Sequence, residues 1–308
     1  MSLFRIVRAT GGELYSGGQK ASIPAPGHSR ADRSASLLLG RSGRVVAYSF
    51  GGATPFEILD DLKARGLIDE AGYPRQSCTP LSTQPFPSDG QKRGVVEDLW
   101  KSGLPVQGTL SARYLRDFRA IRRDFASVKS LLHHPDCRVA VYRTHSRFNR
   151  PALMSRILTP TGRATAVELT YLNAKGDRDL SLKLSRKTVG AVPPGSFVQL
   201  DDPANEIVVA EGVMTALSAS EFFHLPALAL LGIRNLRAYR PPACVRSVVI
   251  AADRGAGGEG AASDLRDTLV ALGLKVVIRL PPEQFRDFNH MAQVWCAGAK
   301  EAGREGEG

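Results

Sequence analysis

No stretch of this sequence reaches the ~18 consecutive apolar residues that a membrane-spanning helix needs, so nothing in it reads as crossing a bilayer. The opening residues, MSLFRIVRATGGELYSGG, lack the apolar core of a secretory signal, and a cytoplasmic location is expected. Cysteine is scarce and scattered: no C-x2-C pair occurs among Cys78, Cys137, Cys244 and Cys296. Tetrahedral zinc needs clustered soft ligands, so no cysteine-held zinc is expected, and a disulfide framework is equally unexpected at this size and in this compartment. The phosphate-loop pattern G-x-x-x-x-G-K-[ST] is missing, which excludes a fused helicase motor of that kind. Acidic residues are in deficit, 30 Asp and Glu against 41 Lys and Arg, and the formal charge is +11. Surplus positive charge attracts phosphate backbones through counterion release, which makes nucleic acid the leading partner class.

What is present is an ordinary globular composition, 43% hydrophobic and 23% charged, over 308 residues that can bury two modest cores. Residues 1–70 read as a first unit: a short helix in LFRIVRATGG, strands in SASLLLG and RVVAYSF, then a helix in TPFEILDDLKARGL. Thr54 is its N-cap candidate, Pro55 sits at the first helical position, and Phe56, Leu59, Leu62 and Leu67 fall near one face. Residues 71–93, rich in Pro, Ser, Thr and Gln without periodicity, are expected to be a linker. Residues 94–203 combine helical patterns in VVEDLWKSG and GTLSARYLRDFRAIRRDF, the latter capped at Thr109 or Ser111, with strands in VAVYRT, ALMSRILTP, ATAVELTYLN and LSLKLSR. From 204 to 298 short strands alternate with helices, which implies a parallel sheet covered by helices; residues 299–308 are expected to be a disordered tail. The expected class is α/β, with an α+β N-terminal part.

Two of the alternating strands end in an acid. EIVVA runs into Glu211-Gly212 ahead of a helix, and SVVIAA runs into Asp253 ahead of a glycine-rich turn. Open α/β sheets bind ligands at the C-terminal edge of their strands, so two neighbouring strands of this kind would aim both carboxylates into one crevice. Hard oxygen ligands there could hold Mg²⁺ against a phosphate. A third acid, Asp287, follows the strand KVVIRL. The ordered set Glu211, Gly212, Asp253, Gly258, Ala261, Ala262, Pro281, Pro282, Asp287 and Asn289 resembles the Toprim domain, most closely that of primase-like proteins of plasmids and phages. The upstream GTLSARYLRDF is similar to the segment preceding Toprim in those proteins, so the likeness covers residues 100–290.

The resemblance implies phosphoryl transfer dependent on Mg²⁺ (or Mn²⁺), acting on single-stranded DNA and nucleotides. The expected reaction is RNA primer synthesis in the replication of a plasmid or mobile element, alongside a replicative helicase. It implies Glu211 and Asp253 as catalytic residues, Glu211 being the general acid/base, with Asp253 in the metal-binding Asp cluster; Glu259 or Asp287 is expected to supply a further metal-ligand oxygen. One position departs: Toprim proteins carry Asp-x-Asp at the second strand end, and here the row reads Asp253-Arg254-Gly255. Thr215 also stands where replicative primases have another Asp. A catalytically weakened DNA-binding accessory protein, or a Toprim nuclease, is the alternative reading.

Near the N-terminus, IPAPGHSRADRSASLLL followed by RVVAYSFGG resembles the zinc ribbon of bacterial primases through His28, Asp32, Arg33, Ser36 and Leu37. Ala25, Ser49 and Gly52 occupy the cysteine positions of that pattern. One imidazole cannot hold zinc, so a metal-free β-unit is expected. In RYLRDFRAIRRDF, Arg113, Arg116, Arg119 and Arg123 recur at helical spacing and would share one face. That stripe, with Arg143, Arg147, Arg150 and Arg156 nearby and Arg254 in the crevice, is the expected nucleic-acid-binding surface; a solvated face paired with Asp117 and Asp124 is the alternative.

Overall fold

The computed structural model describes residues 2–30, 32–50, 52–75, 88–142 and 148–305. They belong to two compact units, Met1–Pro87 and Ser88–Gly308. In the first, helix α1 (Phe4–Thr10) stops at Gly11, whose φ of 86° is the left-handed conformation that closes helices. Strands β1 (Glu13–Tyr15), β2 (Lys20–Ile23), β3 (Ala35–Leu39) and β4 (Val45–Ser49) then pair antiparallel in sequence order. Alternate residues of β3, Ala35, Leu37 and Leu39, share a core with Ile58 and Leu62 of helix α2 (Pro55–Ala64). Thr54 caps α2 in a reciprocal capping box with Glu57. Phe56 corrects the expected apolar face: it is 78% exposed, because it lies about 200° around the helix from Ile58, which takes the core position. His28 pairs with Asp32 (Nδ1–Oδ2 3.2 Å) rather than standing free. The Ser34 hydroxyl and the Ala25 N–H also bond Asp32 and hold its carboxyl far below the usual range.

The second unit opens with α3 (Asp89–Lys101), capped reciprocally by Ser88 and Gln91. Residues 89–93 are therefore helix and not linker: a polar composition also suits a capped first turn, which periodicity does not register. Residues 71–75 continue the first unit through an Ile68–Pro74 bridge, and the rest of the expected linker up to residue 87 lies outside the described residues. A one-turn helix, α4 (Leu110–Arg113), starts on Thr109 as N-cap and runs into a π-turn over Tyr114–Phe118. Strands β5 (Leu131–Arg138), β6 (Asn149–Leu158), β7 (Ala164–Tyr171) and β8 (Arg186–Gly190) form an antiparallel sheet in sequence order. Val96 and Leu99 of α3 pack on one of its faces.

Two strand expectations shift here. The described part of VAVYRT, residues 139–142, falls outside the strand, which is LLHHPDCR; Arg143 and Arg147 lie outside the described residues. LSLKLSR is loop up to Ser185: Leu182 packs on the sheet's core, but Leu180 and Leu184 on either side of it are exposed.

The C-terminal part is a five-stranded sheet. Its elements are β9 (Val198–Gln199), β10 (Glu206–Ala210), α5 (Val213–Phe223), β11 (Ala227–Ala229), α6 (Ile233–Ala238), β12 (Ser247–Ala251), α7 (Ala256–Ala271), β13 (Lys275–Arg279) and α8 (Phe288–Glu305). The strand order is β13-β12-β10-β11-β9, parallel except for the β9 edge. Successive residues of β10 serve opposite cores, Val208 and Ala210 facing α5 and α8, Ile207 and Val209 facing α7. That two-sided burial is why these strands read as continuous apolar runs. The α5 side of the core continues into Tyr114, Leu115, Ile121 and Leu153, so the upstream region and the parallel sheet share one interior. Helix α8 extends to Glu305, which corrects the expected disordered tail for residues 299–305. Among the described residues no helix is long and apolar enough to cross a membrane.

Candidate active site

Adjacent strands β10 and β12 send their chains in opposite directions, β10 through α5 to β11 on one side and β12 through α7 to β13 on the other. Such a topological switch point leaves a crevice at the strands' C-terminal edge. Ala210 and Ala251 are register partners, which puts Glu211 one residue and Asp253 two residues beyond the same rung. The turn after β11 and the Pro281–Asp287 segment after β13 reach the same edge: Leu231 N–H donates to the Glu211 carbonyl at 2.7 Å, and Arg254 N–H to the Arg286 carbonyl at 2.8 Å.

Asp253 is the most perturbed group of the crevice. Its Oδ1 is buried and has no hydrogen-bond partner. Burial, followed by the charges of Asp287 and Glu211, pushes its pKa from 3.8 up to about 7. Two other sequence-predicted acids, Asp287 and Glu211, are thus within electrostatic reach of Asp253. Glu211 is not spent on capping, since α5 begins on Gly212 without a side-chain cap. Asp287 Oδ1 accepts the His290 N–H at 2.7 Å and so caps α8 as well as facing Asp253. The other two crevice residues serve the framework. Glu259 accepts the Gly255 N–H at 3.1 Å across the first turn of α7, and Arg254 Nε donates to the Pro281 carbonyl at 2.8 Å.

No group of three or more His, Cys, Asp or Glu side chains among the described residues is arranged to hold a metal unaided. Mg²⁺ does not demand one, because it commonly takes one or two carboxylates, several waters and the substrate's phosphates. An all-oxygen donor set with an orphaned buried carboxylate oxygen suits such a hard cation.

The basic stripe does not form. The helical run ends at Phe118, and Ala120 takes a φ of +55°, rare for a residue with a side chain. Tertiary bonds replace the helical ones. The Arg119 carbonyl accepts Asn289 Nδ2 at 2.7 Å, while Glu221 Oε1 accepts the N–H groups of Arg122 and Arg123 at 2.7 and 2.6 Å. The four arginines consequently diverge. Arg113 lies 3.4 Å from Asp117, Arg116 stacks over Phe125, Arg119 over Tyr114, and Arg123 forms a two-pronged pair with Asp201. Arg123 and Asp201 are mostly buried, and Asp201 also accepts the Ala227 N–H at 3.0 Å, tying the upstream region to β11. Arg123→Ala is expected to destabilise the second unit by about 2–3 kcal/mol, measured by urea unfolding, with little further loss on adding Asp201→Asn.

Two contributors had no interpretable signal in the sequence. Asn289 was legible only as part of the resemblance; in the fold it is buried and its amide also donates to Ser218 Oγ at 2.9 Å, so one side chain joins α5, α8 and the Arg119 turn. The Leu231-Gly232 turn borders Glu211 with φ of 63° and 130°, and nothing in PALALLG marks it.

Comparison with known proteins agrees with this geometry. Residues 206–297 match the family model described as Toprim domain. This part of the chain is a Toprim domain. Residues 90–200, which supply the shared core upstream of it, match a model described as a domain of unknown function, DUF7146. The chain is similar to the E. coli primase catalytic core, with 14% identity and a TM-score of 0.45 over 67% of this chain and 75% of that one. It is also similar to the Aquifex aeolicus primase fragment with zinc-binding and RNA polymerase domains, at 16% identity and a TM-score of 0.44 over 99% and 82%. The primase fragment of the bacteriophage T7 primase-helicase gives 16% identity and a TM-score of 0.35 over 54% and 72%. No curated protein sequence matches the chain.

Proposed function

We propose that the protein is a primase-type nucleotidyltransferase that makes RNA primers on single-stranded DNA, in the cytoplasm and in the replication of a plasmid or other mobile element. The observation that carries the reading is Asp253, whose Oδ1 is buried without a hydrogen-bond partner beside Glu211 and Asp287 at the switch point. A structural carboxylate would be paired; one held ready for a ligand need not be. Asp253 and Asp287 would hold Mg²⁺ or Mn²⁺, which when bound would neutralise the phosphates of an incoming nucleotide. Glu211, free of capping duty, would take the proton from the primer's 3′-hydroxyl as it attacks the α-phosphate, breaking the bond to the β-phosphate and releasing pyrophosphate. A replicative helicase is the natural partner for such an activity.

The test is primer synthesis from labelled nucleotides on single-stranded DNA with Mg²⁺ or Mn²⁺. Glu211→Gln keeps the shape of the side chain and removes its basicity, and product formation is expected to fall about 100-fold. Equal product from wild type and variant would remove Glu211 from the mechanism. One observation favours a second reading: Gly255 stands where a further metal-ligating acid would, and among the described residues no three-carboxylate cluster replaces it. A DNA-binding accessory protein would bind single-stranded DNA with wild-type affinity in the Glu211→Gln form and make no primers in either. Cleavage of the template without synthesis would point to a nuclease.

A further inference from the structure

A separate cavity of about 490 Å³ opens in the second unit between α3 and the β6–β7 hairpin. None of its walls belongs to the Toprim domain: Arg93, Trp100 and Lys101 come from α3, and Arg156, Arg163 and Thr165 from the two strands and their turn. The volume falls within the range of small-molecule sites. Its chemistry has three parts. The four cations face a single acid, Glu97, which leaves a strong positive surplus. The Arg156 guanidinium lies over the Trp100 ring, 5.2 Å from its centroid, and makes a flat ledge of the kind on which heterocycles stack. Thr165, only 6% exposed, is one of the lining residues, and its Oγ1 is buried without a hydrogen-bond partner. Buried hydroxyls are nearly always satisfied, so an unpartnered one on a lining residue points to a partner supplied by another molecule.

We infer that this cavity is a binding site for a free nucleoside di- or triphosphate, distinct from the Toprim crevice. The base stacks on the Trp100–Arg156 ledge, the phosphates are held by Arg93, Lys101 and Arg163, and the Thr165 hydroxyl makes one directed bond. Charge separates this ligand from a DNA strand. A polyphosphate concentrates three to four negative charges at one end, as the cluster requires, whereas a strand carries one per nucleotide and would have to run past Glu97. Glu97 instead suits the exocyclic amine or sugar hydroxyls of a mononucleotide.

The chain has two tryptophans, so Trp295→Phe leaves Trp100 as the sole indole reporter. That protein is titrated with ATP and GTP in EDTA, which removes divalent cations from the crevice. Saturable quenching is expected, weakened about tenfold or more by Lys101→Glu or by the isosteric Thr165→Val, and unchanged by Glu211→Gln. Arg163→Glu, at an exposed position, repeats the test where folding is not at stake. The inference is overturned if all three cavity variants bind as the parent does or if Glu211→Gln abolishes quenching. It is equally overturned if oligo(dT) quenches Trp100 and neither mononucleotide does.

Discussion

Asp253→Asn is expected to do two opposite things: abolish the proposed primer synthesis, by about 1,000-fold, and raise the melting temperature of the protein at pH 8. The first follows from removing the charge best placed to hold a cation against the substrate's phosphates. The second follows from the cost of that charge. An Asp in the unfolded chain ionises near its model value of 3.8, whereas burial and the neighbouring Asp287 and Glu211 raise Asp253 to about 7 in the fold. Between those values the folded state binds more protons than the unfolded one, so this group's contribution to stability falls as pH rises from about 4 through about 7. Above pH 7 the carboxylate is ionised in both states and the whole penalty is present. Partial solvent exposure screens it to about 1–2 kcal/mol, and an uncharged Asn recovers that amount at pH 8 and almost none at pH 4. Melting curves at the two pH values check the sign. Adding Mg²⁺ at pH 8 should stabilise the wild type and leave Asp253→Asn nearly unmoved. A variant that melts lower than wild type at pH 8 would mean that Asp253 is a structural residue.

What the sequence made legible follows the physics of each element. Strands buried on both faces are short apolar runs, and acids at their ends stand out against them; hence β10, β12, Glu211 and Asp253 could be read directly. Elements whose shape depends on distant partners could not. The arginine-rich run has helical spacing throughout, yet Asn289, 170 residues from Arg119, and Glu221, 99 residues from Arg122, bind its backbone and end the helix. Local propensity favoured continuing that helix, and tertiary hydrogen bonds outweighed it. The same reasoning covers Glu259. Its position one turn into α7 suits a metal ligand or an N-terminal cap equally well on paper, and only the fold shows its carboxylate bonded to the Gly255 N–H. Trp100 and Thr165, 65 residues apart, carry no shared pattern, so their cavity emerges only when α3 lies against the sheet.

Gly258→Ala is expected to reduce the proposed primer synthesis about 100-fold without touching any charged group. Gly258 sits in the first turn of α7, where an added Cβ would lie 2.6 Å from the Asp253 carbonyl oxygen and 3.5 Å from the Asp253 Cβ. The obstacle is backbone and cannot rotate away, so either α7 lifts or the Asp253 turn moves. Displacing a catalytic group by a fraction of an ångström to one ångström costs up to about 100-fold in rate. Helix propensity acts the other way, since Ala is better than Gly in a helix by about 1 kcal/mol, so the net loss of stability should be only about 1–2 kcal/mol. Gly260, two residues on in the same helix, supplies the control. A Cβ there meets nothing within 4 Å, and Gly260→Ala should stabilise the protein by about 0.5–1 kcal/mol and leave synthesis unchanged. Wild-type activity in Gly258→Ala would show that the position of Asp253 does not limit the reaction. Loss of activity in both variants would show instead that α7 must flex at its first turn, and would shift attention from the carboxylate to the helix that carries it.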